Sequence, residues 1–133
     1  MAKSNGTSVL IIDDNETTRS MLRMIIQGET YHVVGEANNG ASGLERARKL
    51  RPDIVCLDIV MPDSDGLEVL AEIKQALPNT AVLMVTASND RETVLTAIRR
   101  GASGFIIKPF NTGIVLDTLD KTAAALEQSS TKT

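Results

Sequence analysis

The chain has 133 residues and a mass of 14.3 kDa, enough for one domain of radius of gyration about 14 Å. It is 42% hydrophobic and 23% charged, with a net charge of −3, which excludes a disordered chain and argues against nucleic-acid binding through a basic surface. The longest apolar run is five residues, Ala81-Val82-Leu83-Met84-Val85, far short of the ~20 that span a membrane.

Residues 1–7 are polar and carry no apolar signal core, so the chain is expected to stay in the cytoplasm. One cysteine, Cys56, rules out an internal disulfide and a cysteine-rich zinc site. One histidine, His32, weakens the case for a zinc enzyme further. With only Tyr31, Phe105 and Phe110 as aromatics, stacking on single-stranded nucleic acid has little to work with.

In chain order, apolar runs of strand length alternate with segments of helical period. Residues 9–12 read as a first strand, and Leu22, Ile25 and Ile26 mark the helix after it. The second strand is 31–37, followed by a helix carrying Leu44, Ala47 and Leu50. The third is 53–57, then a helix with Leu67, Leu70, Ile73 and Leu77 at helical spacing. The fourth is 80–85, then a helix with Val94, Leu95 and Ile98. A short fifth strand, 105–107, precedes a last helix with Val115, Leu119 and Leu126.

Continuous apolar strands imply burial on both faces, and five strands alternating with five helices imply βαβ units and a parallel, doubly wound α/β sheet. Pro52 and Pro78 end helices just before strands, Gly101 suits a left-handed helix stop, and Asp90 can cap the fourth helix. The domain core is expected over residues 7–127, with 128–133 a fraying tail.

Polar residues follow four of the five strands directly: Asp13-Asp14, Asp58, Thr86 and Lys108. In an open parallel sheet these strand ends share one edge, where ligands bind. Any one of them has a plain reading as a cap, turn or solvated residue; four coinciding on the same edge argue for a site. Three carboxylates repel one another. Lys108 offsets one charge, and a divalent cation offsets two. An all-oxygen donor set suits Mg²⁺. An Asp beside such a cation, a Lys and a hydroxyl can attack a phosphoryl group, and Asp58, from the central strand, is the best nucleophile candidate.

Taken together, these residues resemble the CheY-like receiver domain of bacterial two-component response regulators. The matching segments are Val9-Leu10-Ile11-Ile12-Asp13-Asp14, Glu36-Ala37-Asn38-Asn39-Gly40 and Arg51-Pro52-Asp53-Ile54-Val55-Cys56-Leu57-Asp58. Met61-Pro62-Asp63-Ser64-Asp65-Gly66, Val85-Thr86-Ala87 and the run from Gly101 to Phe110, with Lys108-Pro109, complete the match. The resemblance implies a five-stranded sheet in the flavodoxin-like order 2-1-3-4-5.

It also implies roles. Asp58 accepts a phosphoryl group from a phosphohistidine of a sensor histidine kinase or histidine phosphotransfer protein. Asp14, Asp58 and the Val60 carbonyl ligate Mg²⁺, and Asp13 holds the metal's water shell or binds it directly. Lys108, before a cis peptide to Pro109, contacts a phosphoryl oxygen. Thr86 and Phe105 form the switch that changes the surface of the fourth helix, fifth strand and fifth helix, where an unknown downstream protein target binds. Phe105 lacks the hydroxyl a Tyr would carry there. Val60 and Ser88 occupy the two positions that influence attack of water on the acyl-phosphate, and Val60 cannot orient a water, so slow self-dephosphorylation is expected.

The chain is expected to catalyse only its own phosphorylation and dephosphorylation, to act as a single-domain regulator, and to bind neither nucleic acid nor membrane. Phosphorylation-dependent homodimers are a further expectation. The alternatives are the receiver half of a longer DNA-binding regulator, a pseudo-receiver, and a small Asp-nucleophile phosphatase of the haloacid-dehalogenase type. That last family wants Asp-x-Asp, and here Asn15 stands in the second Asp position. Cys56, Met21, Met24 and Met84 read as core filler, His32 as half-exposed, and the arginines of the second and fourth helices as solvated faces.

Overall fold

The computed structural model describes residues 6–87 and 90–131. Its elements are β1 (Thr7–Ile12), α1 (Glu16–Ile26), β2 (Tyr31–Ala37), α2 (Gly40–Leu50), β3 (Ile54–Asp58), α3 (Gly66–Ala76), β4 (Ala81–Thr86), α4 (Arg91–Arg99), β5 (Gly104–Ile107) and α5 (Thr112–Thr131). The strands form one parallel sheet in the order β2-β1-β3-β4-β5, as the resemblance implied.

Short polar side chains start the helices. Asn15, Asn39, Asp65 and Asp90 accept the backbone N–H of Thr18, Ser42, Leu67 and Thr93, and Asn111 accepts that of Ile114. Each satisfies a donor that the helix geometry would leave unpaired. At the other end of α4, Gly101 has φ +104, and Gly101 and Ala102 donate to the carbonyls of Ile98 and Ala97. This paired closure needs a residue free to adopt positive φ. α2 closes instead on Arg51 at φ 47, a conformation that side chains other than glycine adopt at a cost.

The apolar strands fill two cores, one on each face. Leu10, Ile12, Val55, Leu57, Val82 and Met84 meet α2, α3 and α4; Val9, Ile11, Ile54, Cys56, Leu83 and Val85 meet α1 and α5. β3 and β4 are buried throughout and β1 along most of its length, whereas the edge strands β2 and β5 are buried only in part, for want of a neighbour on one side.

Two expectations differ. Met84 is core, but Met21 and Met24 are not: they lie on the outer face of α1 at 46% and 80% exposure, because Leu22 and Ile26 already fill its inner face. α4 buries Ala97, while Leu95 and Ile98 face outward, since a small residue lets the helix approach the sheet. α5 spans Thr112–Thr131. No helix among the described residues is long and apolar enough to cross a membrane.

Candidate functional site

The register that pairs Ile12 with Leu57 carries on to set Asp13 beside Asp58 at the ends of β1 and β3. Oxygens of Asp13, Asp14 and Asp58 all lie within 4.8 Å of one another. Asp13 is 1% and Asp58 6% exposed, while Asp14 opens to solvent. Across the sheet edge, the Lys108 Nζ stands 3.4 Å from Asp13 Oδ2 and 3.6 Å from Asp58 Oδ1. The Lys108 backbone N–H donates to the Thr86 carbonyl at 2.8 Å, which fixes the loop after β5 to the end of β4. The Lys108–Pro109 peptide is cis. Thr86 is buried at that same edge.

One cation against three carboxylates leaves the cluster negative. Burial, and then the Asp13 charge, push the Asp58 carboxyl up to about 6, with Lys108 pulling the other way. Asp13 Oδ1 accepts the Asn15 N–H at 2.8 Å, but Oδ2 accepts no hydrogen bond among the described residues. A buried carboxylate oxygen with no hydrogen bond, among two further carboxylates, fits a hard divalent cation.

The shell behind the carboxylates contains residues that pattern reading did not single out. Arg19 donates from Nη1 to the Asp13 carbonyl at 2.7 Å, and its Nε lies 3.3 Å from Glu36 on β2. Arg23 reaches the other Glu36 oxygen at 3.3 Å. Arg19 falls on the helix face of Leu22 and Ile26, and a charge on an apolar face was the available signal. In the β3–α3 loop, Val60 N–H points at Asp58 Oδ1 from 3.4 Å, and Val60 pairs back with Asp65. A Cβ on Gly66 would stand 2.3 Å from the Asp58 carbonyl oxygen, so only glycine lets this loop close. Asp63, further along, accepts the N–H groups of Gly40 and Ala41, and the Gly40 bond above all holds its carboxyl below the usual range. That partner is 23 residues away, and no local pattern reveals it.

Phe105, on β5 opposite Met84, is half-buried against the core beneath α2, α3 and α4. Ser88 lies outside the described residues. Cys56 is core, and burial pushes its thiol up to about 12. His32 is half-buried on β2, and the arginines of α2 and α4 are exposed.

A family model for the response regulator receiver domain matches residues 9–120. The chain belongs to that family. It is 42% identical to the chemotaxis protein CheY of Listeria monocytogenes over 115 residues, 86% of this chain and 97% of that one. It is 34% identical to the nitrate/nitrite response regulator NarL of Escherichia coli over 125 residues, 93% of this chain and 58% of NarL. Among solved structures, the response regulator domain of Thermotoga maritima CheB superposes with a TM-score of 0.81 at 32% identity, over 92% of this receiver and 97% of that chain. This is therefore a CheY-like receiver of two-component signalling.

Proposed function

We propose that this receiver is a phosphorylation-controlled switch in which Asp58 is the phosphoacceptor. The carrying observation is the carboxylate cluster on the ligand edge of the sheet, facing Lys108 and joined to Thr86 through the Lys108 backbone. An Asp58 oxygen attacks the phosphorus of a phosphohistidine on a sensor kinase or phosphotransfer protein. The P–N bond breaks and the imidazole leaves with its electron pair. Lys108 balances charge on the phosphoryl oxygens, from a position it already holds against Asp13 and Asp58.

Asp14, Asp58 and the Val60 carbonyl would hold Mg²⁺, with Asp13 binding directly or through water. The buried Asp13 Oδ2, which accepts no hydrogen bond among the described residues, and the all-oxygen donor set support this assignment. When bound, the ion neutralises the carboxylates and the transferring phosphoryl oxygens.

Thr86 then turns toward the phosphoryl oxygen and Phe105 moves inward, shifting an existing equilibrium at α4, β5 and α5. Leu95, Ile98, Ile107 and Ile114 are exposed on those elements, with Ile98 at 54%, which supports a protein partner there. Asn15 caps α1 and cannot serve as the second acid a haloacid-dehalogenase-type phosphatase needs.

The test is the intact mass of the chain with acetyl phosphate, with and without Mg²⁺, beside Asp58→Ala. A Mg²⁺-dependent gain of one phosphoryl group, absent in the variant, is expected. A phosphoryl group lasting only seconds would contradict the slow self-dephosphorylation expected from Val60. No gain at all would make constitutive protein binding the better reading.

A further inference from the structure

The loop between β3 and α3, residues 59–65, carries Val60, whose carbonyl would be a ligand of the metal. The Val60 side chain is 75% exposed, so its own packing does not hold it. The base of the loop is closed by Gly66 N–H on the Ile59 carbonyl at 2.7 Å and by the pairing of Val60 with Asp65. Met61 anchors the loop's inner side in the core. Its outer end is fastened only once among the hydrogen bonds and ion pairs described: Asp63 accepts Gly40 N–H at 2.9 Å and Ala41 N–H at 3.2 Å. These are the first two donors of α2, which the helix itself cannot satisfy. Asn39 takes the third, from Ser42 at 2.9 Å. One carboxylate thus caps a helix from another part of the chain and tethers the loop to it.

We propose that Asp63 is a positioning residue that holds the Val60 carbonyl in place for Mg²⁺ by tying the β3–α3 loop to the start of α2. The proposal rests on the metal assignment under Proposed function. Asn39 and Asp63 cap the same helix, but of the two only Asp63 belongs to the loop. Helix capping and loop positioning can therefore be separated.

The experiment titrates MgCl₂ into ¹⁵N-labelled chain and follows the amide shifts near Asp14 and Asp58, with thermal unfolding measured in parallel. Asp63→Ala should weaken Mg²⁺ binding about 10-fold, the lower range for groups that orient metal ligands. Asp63→Asn, which loses the same charge but keeps one acceptor oxygen for the shorter bond from Gly40, should recover part of that affinity. Asn39→Ala should lower the melting temperature and leave Mg²⁺ affinity within twofold. Asp63→Ala binding Mg²⁺ as the parent chain does would overturn the proposal. So would Asn39→Ala weakening it equally, since capping alone would then explain the effect, or Asp63→Asn failing to rescue, since charge alone would. A parent chain whose amides do not respond to Mg²⁺ would overturn the metal assignment and this proposal with it.

Discussion

Where the strands begin, Asp53 accepts from both the backbone N–H and the hydroxyl of Ser8, at 2.9 and 3.1 Å. Beside it, the buried Thr80 hydroxyl donates to the Pro52 carbonyl at 2.8 Å, and the Lys74 ammonium donates to the carbonyls of Pro78 and Thr80. Where the strands end, three carboxylates crowd within 4.8 Å and a buried Asp13 oxygen accepts no hydrogen bond among the described residues. One edge therefore spends its polar groups on stability. The other holds charges in excess of their partners, and a strained electrostatic arrangement of this kind is what a bound cation or a phosphoryl group can relieve.

Matched carboxylate substitutions should separate the edges most sharply. Asp58→Asn should abolish phosphoryl gain and, in metal-free buffer at pH 7.5, stabilise the fold by roughly 2–3 kcal/mol, because a group raised to about 6 is then ionised at a cost. Asp53→Ala should do the reverse, losing about 2 kcal/mol by stranding the Ser8 donors while phosphorylating normally. Urea unfolding and intact mass read both. If Asp58→Asn were destabilising, the electrostatic contrast between the edges would be gone.

The same contrast has a pH signature. The folded Asp58 binds its proton more tightly than an ordinary carboxyl at 3.8, so its stabilising contribution is full below pH 3.8 and lost as pH rises through about 6. The stability difference between Asp58→Asn and the parent chain should therefore grow between pH 4 and 7.5; a difference flat across that range would refute the shift. Mg²⁺ at ten times its dissociation constant should restore about 1.4 kcal/mol to the parent at pH 7.5. That gain should fade below pH 6, where the ion must compete with the Asp58 proton. Chemical denaturation with and without MgCl₂ checks both ends.

Strand and helix order were legible because β1, β3 and β4 are continuous apolar runs, and the acidic edge was legible because strand ends in a parallel sheet share a side. What escaped depended on competition between faces or on distant partners. Met21 and Met24 are apolar but surplus to the inner face of α1, and Ala97 outcompetes the larger Leu95 and Ile98 for the sheet. The partners of Arg19 and Asp63 sit on other elements, so spacing along one helix or loop does not find them.

The smallest contrast lies within a single strand. Thr80 precedes β4 at one edge of the sheet and Thr86 ends it at the other, and both are buried. Thr80→Val removes the donor to the Pro52 carbonyl and should cost about 1 kcal/mol, with phosphoryl gain and its consequences intact. Thr86→Val keeps the shape and should still accept a phosphoryl group on Asp58, since the carboxylate cluster and Lys108 are the groups the transfer itself uses. It should lose the step after, because no hydroxyl can turn to the phosphoryl oxygen and Phe105 has no vacated space to enter. The Phe105 ring resonances, followed with acetyl phosphate and Mg²⁺, should move in the parent and in Thr80→Val but stay fixed in Thr86→Val. Equal movement in all three would mean that Thr86 is packing, as Thr80 is, and that the switch runs through another residue.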